Sequence, residues 1–171
     1  MKSEIDAIRQ AVYKLGEKIN APSSLLSLPD QSRGDGTPHI ELKNNKYHYV
    51  SSERGTELSR NETSDLDELL YWVFSNITSS MAYSFELSHR KSNQDSRRLA
   101  FAKRLELLEK INPEWANREA KEIEKVLSAN PYDDDVDLRV TLCKELADKG
   151  YSAESAYKKA CLKYPLPLPR G

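Results

Sequence analysis

The chain has 171 residues, with 26 lysines and arginines against 27 aspartates and glutamates, a net charge of -1 and a mean hydropathy of -0.73. That balance excludes the broad basic excess of a general nucleic-acid binder. The longest unbroken apolar run, Leu69-Leu70-Tyr71-Trp72-Val73-Phe74, falls far short of the roughly 20 residues that a membrane-spanning helix needs. A chain of this length can bury a core of its own without staples. Glu4 and Asp6 sit where a secretory signal would need an apolar run, so no export signal and a cytoplasmic location are expected.

Ile5, Ile8, Val12, Leu15 and Ile19 recur at helical spacing and predict a helix over 3–19, with Ser3 as its cap. Asn20-Ala21-Pro22 ends it, because a residue before proline is pushed out of the α region. Residues 23–38 carry two glycines, two prolines and several serines, and read as a long loop.

His39-Ile40-Glu41-Leu42 and Tyr47-His48-Tyr49-Val50 flank a turn centred on Asn44-Asn45, a pair that tolerates the positive φ of a type I′ hairpin. This register sets Leu42 opposite Tyr47, Glu41 opposite His48 and Ile40 opposite Tyr49. Ile40, Leu42, Tyr47 and Tyr49 then face the core. His39, Glu41, Lys43, Lys46 and His48 face water. Glu53-Arg54-Gly55 marks a second turn, and Thr56 to Arg60 a shorter third strand.

From Thr63 the apolar period becomes helical. Leu66, Leu69, Leu70, Val73, Phe74, Ile77 and Met81 predict a central helix capped by Thr63 or Ser64 and running toward Arg90. Ser92-Asn93 breaks it. A helix over 94–111 follows, with Leu99, Ala102, Leu105, Leu108 and Ile111 inward. Asn112-Pro113 starts another, asparagine capping and proline at the first helical position. Asp133-Asp134-Asp135 open a fifth, with Val136, Val140, Cys143, Leu146 and Ala147 inward and Gly150 at its end. Ser152 caps a sixth, with Ala156, Tyr157, Ala160, Cys161 and Tyr164 inward. Cys143 and Cys161 read as buried thiols in a reducing compartment.

The expected fold class is α+β: a small antiparallel three-stranded meander packed against a bundle of about six helices. One domain is expected over 1–164, with the helix at 3–19, the sheet at 39–60 and helices over 65–164. Residues 165–171 are expected as a proline-rich extended tail.

Three constellations bear on function. His39, Glu41 and His48 on the wet hairpin face resemble a zinc set in type, but an open sheet face lacks further ligands, so a polar contact surface is the expectation. Six basic and three acidic residues lie between 91 and 112, with His89 and Arg90 just before them. Asp95, Arg97, Arg98 and Arg104 belong to that stretch, and tying helix ends to carboxylates is its expected role rather than binding phosphate. Residues 112–148 hold ten acids and five bases. Asp133, Asp134, Asp135 and Asp137 crowd one helix start and could dock a basic partner. No phosphate loop, nucleophile elbow or zinc-protease motif is present, so neither a cofactor, a catalytic residue nor a metal is expected.

The run PHIELKNNKYHYVSSERGTELSR from Pro38 to Arg60, followed by TSDLDELLYWVF, HRKSNQDSRRLAF and WANR at Trp115 to Arg118, resembles a predicted immunity-protein family of bacterial polymorphic toxin systems over roughly residues 20–128. The resemblance implies a bacterial cytoplasmic antidote that binds and neutralises a cognate secreted toxin domain and catalyses nothing. A nuclease is one candidate toxin, because carboxylates imitate phosphates. No membrane and no direct nucleic acid are implied as partners. Glu53, Arg54, Arg60, Arg90, Asp95, Arg98, Trp115 and Arg118 match by position and are expected to be ion-pair and packing residues. Contact with the toxin is expected at Asp133, Asp134, Asp135 and Asp137 and at His39, Glu41 and His48. The open alternatives are a metal-dependent hydrolase using His39, Glu41 and His48, and an adaptor presenting the Pro165–Pro169 tail.

Overall fold

The computed structural model describes residues 2–169. Its elements in order are α1 (Lys2–Glu17), β1 (His39–Lys43), β2 (Lys46–Glu53), β3 (Thr56–Thr63), α2 (Leu66–Ser88), α3 (Ser96–Ile111), α4 (Pro113–Ala129), α5 (Val136–Asp148) and α6 (Ala153–Lys163). The described residues thus form one three-stranded antiparallel sheet, ordered β1-β2-β3, and six helices, an α+β fold as expected. The chain divides into two compact units. The first contains the residues up to Met81 together with Leu107–Trp115; the second contains Ala82–Glu106 together with the residues from Ala116 onward.

In the first unit, Ile8, Val12 and Ile19 bury one stripe of α1 and its exit turn. Ser3 falls inside α1 rather than at its cap. α1 ends at Glu17, short of the expected 19, and the chain leaves it through a turn in which Asn20 takes a positive φ of 52°. Both hairpins turn on two residues of positive φ: Asn44 and Asn45 at 52° and 58°, then Arg54 and Gly55 at 49° and 82°. Two-residue turns of this handedness match the twist of antiparallel strands. They produce the expected register, Leu42 opposite Tyr47, Glu41 opposite His48 and Ile40 opposite Tyr49. β3 continues to Thr63, beyond the expected Arg60, because Asn61, Glu62 and Thr63 go on pairing with Tyr49, His48 and Tyr47.

α2 is capped by Asp65 rather than by Thr63 or Ser64: its carboxylate accepts from the Asp67 amide at 2.9 Å, and Thr63 Oγ1 accepts from the Asp65 amide at 3.0 Å. Leu69, Leu70, Tyr71, Val73, Phe74 and Ile77 are buried. Trp115 stacks on Phe74 with ring centroids 6.1 Å apart and donates its indole N–H to Asp67 at 3.0 Å.

Asn112, also in the first unit, caps α4, accepting from the Glu114 amide at 2.9 Å, and in the second unit Asp95 caps α3, accepting from the Arg97 amide at 2.9 Å. Ser152 caps α6 as expected, accepting from the Ser155 amide. Three expectations fail on the last helices. Val136 and Val140 are exposed, and the buried residue of α5 is Arg139. Its Nη1 donates to the Tyr164 carbonyl at 2.7 Å, and its Nη2 bonds the Asp133 carboxylate. A charged group that closes a loop and a helix end turns inward and rotates the valine stripe out. α6 buries Ala156 and Ala160 while Tyr157 is exposed. Cys143 and Cys161 are free thiols and half-buried rather than buried.

Candidate functional site

The hairpin face expected to meet water does not do so at its histidines. His39 is 3% exposed and His48 7%, and both are buried as fully as the apolar core. Strand alternation puts His39, Glu41, His48, Val50, Arg60 and Glu62 on one face. Arg60 on β3 donates to Glu41 on β1 at 2.8 Å and to Glu57 at 3.0 and 2.8 Å. Lys43 reaches Glu41 at 2.8 Å, and Lys46 bonds Glu62. β1 and β3 are not neighbours in the sheet. The Arg60–Glu41 bond must therefore pass over β2, across His48 and Val50, which stand opposite Glu41 and Arg60 in register. The wet surface is this layer of ion pairs, and the imidazoles lie beneath it.

The electrostatics of the layer follow from those bonds. Hydrogen bonds from Arg60 and then Lys43 hold the Glu41 carboxyl down at about 2. Bonds from Arg60 lower Glu57, and the bond from Lys46 lowers Glu62. His39 Nε2 lies 3.5 Å from Glu41 and His48 Nδ1 3.6 Å from Glu62. Among the described residues neither ring nitrogen of His48, nor His39 Nδ1, has a hydrogen-bond partner. His39, Glu41 and His48 do not converge: among the described residues no three His, Cys, Asp or Glu side chains come together in a group that could hold a metal ion.

The acidic corner lies at the start of α5. Its four aspartates divide by partner. Asp134 accepts a two-pronged bond from Arg98, 2.8 Å on each arm, and its Oδ1 also accepts from the Asp95 amide at 2.9 Å. The Arg98 bonds, then the Asp95 amide, hold Asp134 below the usual carboxylate range. Asp133 bonds Arg139, and its amide donates to Asp95 at 2.8 Å. Asp135 and Asp137 are exposed. Asp135 stands at the cap position of α5 without a side-chain capping bond. Exposed Val136 and Val140 lie beside them, one helical turn apart.

Asp95 organises the corner. Arg97 grips its carboxylate through Nε and Nη2, at 3.1 and 2.7 Å, and reaches on to the carbonyls of Asn130 and Pro131 at 2.9 and 2.7 Å. Burial alone would raise the Asp95 carboxyl, but the Arg97 side chain and the Asp133 and Arg97 amides outweigh it and hold the group low. The Arg98 guanidinium lies 4.1 Å from the centre of the Tyr132 ring. Arg90 bonds Glu86 at 2.8 Å and Arg104 pairs with Glu119 at 2.8 Å. The arginine-rich stretch therefore ties helix ends and the 130–134 loop to carboxylates, as expected. The role of Arg139 was missed by the sequence reading. The signal was one arginine inside an apolar stripe.

The proline segment forms neither helix nor strand, and Leu168 on it is 83% exposed. Leu166, Pro167 and Pro169 line a groove with Val126, Ala129, Asn130 and Pro131, beside the Arg139 bond to the Tyr164 carbonyl. Arg170 and Gly171, the end of the expected tail, lie outside the described residues. Among the described residues no helix is long and apolar enough to cross a membrane.

No curated protein and no solved structure matches the chain. Residues 43–125 match the family model described as Immunity protein 63. The resemblance expected over residues 20–128 is thus met over the segment from the end of β1 into α4, and over that segment the chain is similar to Immunity protein 63.

Proposed function

We propose that this protein is a non-catalytic immunity protein of a bacterial polymorphic toxin system, which acts in the cytoplasm by binding a cognate toxin domain. The similarity of residues 43–125 to Immunity protein 63 is the observation that carries this reading. The exposed part of the acidic corner is the proposed docking surface. Asp135 and Asp137 offer exposed charge beside Val136 and Val140, while Asp133 and Asp134 hold the corner in shape through Arg139 and Arg98. Apolar contact ringed by charge suits a partner of opposite sign. On the hairpin face, Glu41 and its ion-paired neighbours meet the partner, and His39 and His48 support them from below. A nuclease whose basic cleft normally receives phosphates is the toxin class that suits such an acidic surface.

Two measurements test this. Cells making the toxin domain encoded beside this chain survive when the chain is co-expressed; death at the uninhibited rate refutes the reading. Reversing both Asp135 and Asp137 to lysine slows association about tenfold at low salt and flattens its salt dependence. Unchanged association kinetics remove the corner from the interface.

A further inference from the structure

A cavity of about 310 Å³ lies in the first unit, walled by the 23–38 loop, β2 and α2. Small-molecule pockets begin at roughly 300 Å³. The loop that forms one wall is pinned along its length. Leu26 and Leu28 are buried, and Leu26 packs so close to α1 that a Cβ on Gly16 would come within 2.5 Å of it. Arg9 Nε donates to the Leu28 carbonyl at 3.0 Å, and the Ile40 amide to the Pro29 carbonyl at 2.9 Å. Ser51 Oγ donates to the Gly36 carbonyl at 2.7 Å. The cavity is therefore part of the fold and not a gap left by a slack loop.

Its lining is divided. Leu26, Leu28, Val73 and Ile77 supply buried apolar surface. The polar lining includes three donors from three elements: Arg33 on the loop, the Tyr49 hydroxyl on β2 and the Asn76 amide on α2. Asn76 Nδ2 reaches Tyr49 Oη at 3.4 Å, a long bond, and among the described residues the Tyr49 O–H has no acceptor of its own. Burial pushes the Tyr49 phenol above its ordinary range, so the group stays a donor. Arg33 donates from Nη2 to Ser27 Oγ at 3.2 Å, and among the described residues its Nε and Nη1 meet no acceptor. Asp35 is close in the loop, yet its carboxylate accepts from the Thr37 amide at 2.9 Å and not from Arg33. Among the described residues no carboxylate lines the cavity.

We propose that this cavity binds a small monocarboxylate with an apolar body, its carboxylate held by Arg33 with Tyr49 and Asn76 and its body packed on Leu26, Leu28, Val73 and Ile77. A planar guanidinium matches a carboxylate with two parallel N–H bonds. One cation answers one negative charge. A phosphate would bring more charge than the lining balances and nothing to cover the apolar surface. A neutral apolar molecule would leave the donors that face it unpaired. The assignment stands apart from the toxin reading, since the surfaces proposed for the toxin and this cavity share no residue.

The probes are phenylacetate and hexanoate, an aromatic and an aliphatic body, titrated into the full chain with methyl and amide NMR spectra as the readout. Phenylacetamide keeps the ring without the charge, and acetate keeps the charge without the ring. At least one of the two probes shifts the methyl signals of Leu26, Leu28, Val73 and Ile77 along a saturating curve. Its uncharged amide and acetate bind about tenfold more weakly or worse. Arg33→Gln, at an exposed position, lowers the affinity of the carboxylate about tenfold and brings it level with the amide. Tyr49→Phe lowers it several-fold, and Ser80→Trp, at an exposed position of the lining, blocks it; amide spectra away from the cavity show that each variant is folded. The proposal is overturned if neither probe saturates, if the uncharged amide binds equally well, or if Arg33→Gln binds as tightly as the parent. Probes that stay unbound while the toxin domain moves the same methyl signals give the cavity to a protein side chain, and likewise overturn it.

Discussion

In the first unit the buried side chains include Phe74, Leu69, Leu108, Ile40, Tyr71 and Trp115; in the second they are Ala82, Ala100, Ala116, Ala156 and Ala160 with Ile123, and Glu86, Asp95, Glu119 and Arg139 lie buried among them. Large apolar groups exclude water by area, and each is worth about 1.5–3 kcal/mol when fully buried. Alanines contribute little area and let backbones approach. The second unit therefore depends more on paired charge. Each of its buried ions has a named partner: Glu86 with Arg90, Asp95 with Arg97, Glu119 with Arg104 and Arg139 with Asp133. Such pairs fix geometry more than they add stability, but removing one partner is costly because the other stays buried and uncompensated.

Emptying the first core does the most damage. Phe74→Ala removes a fully buried ring that stacks on Trp115 and is expected to cost about 3–5 kcal/mol in denaturant unfolding. Fluorescence is the readout, because Trp72 and Trp115 both belong to the first unit. In the second unit Asp95→Ala is expected to cost about 3 kcal/mol. Its signature is local: the Arg97 and Asp133 amides, both bonded to Asp95, lose exchange protection. A global loss of equal size in both units would contradict that local role of Asp95.

Acid sharpens the contrast. Asp95 and Asp134 titrate below their ordinary range in the folded chain. A carboxyl held low contributes stability that is complete above its unfolded value and is lost as pH falls through the folded one. Second-unit amides are thus expected to lose protection below pH about 4, while tryptophan emission from the first unit persists to lower pH. On the hairpin, Glu41 keeps its ion pairs down to about 2. The smallest effect is expected of Arg60→Ala, at or below about 1 kcal/mol, because its partners are exposed or half-buried and screened by solvent. Its readout is faster exchange of solvent into the His48 and Val50 region, not a changed melting temperature.

The type I′ hairpin was legible because Asn44-Asn45 and the alternation of Ile40, Leu42, Tyr47 and Tyr49 are local signals. Asn112-Pro113 and Ser152 announced their helices for the same reason. The acidic corner was visible as composition, yet its division into two engaged and two exposed aspartates was not. Arg98 lies 36 residues from Asp134, and no local pattern relates them.

Periodicity and turn chemistry by themselves determined the α+β class, the strand register and most helix starts. These depend on neighbours within a few positions, whose sterics and hydrogen bonds act in any context. Only the tertiary structure decided which polar groups meet water. His39 and His48 are buried on the face where Arg60 reaches across the sheet to Glu41, and buried Arg139 bonds a loop carboxylate and a helix end that arrive together. Such outcomes belong to residues far apart in the chain, because desolvation is set by everything that surrounds a side chain and not by the side chain alone.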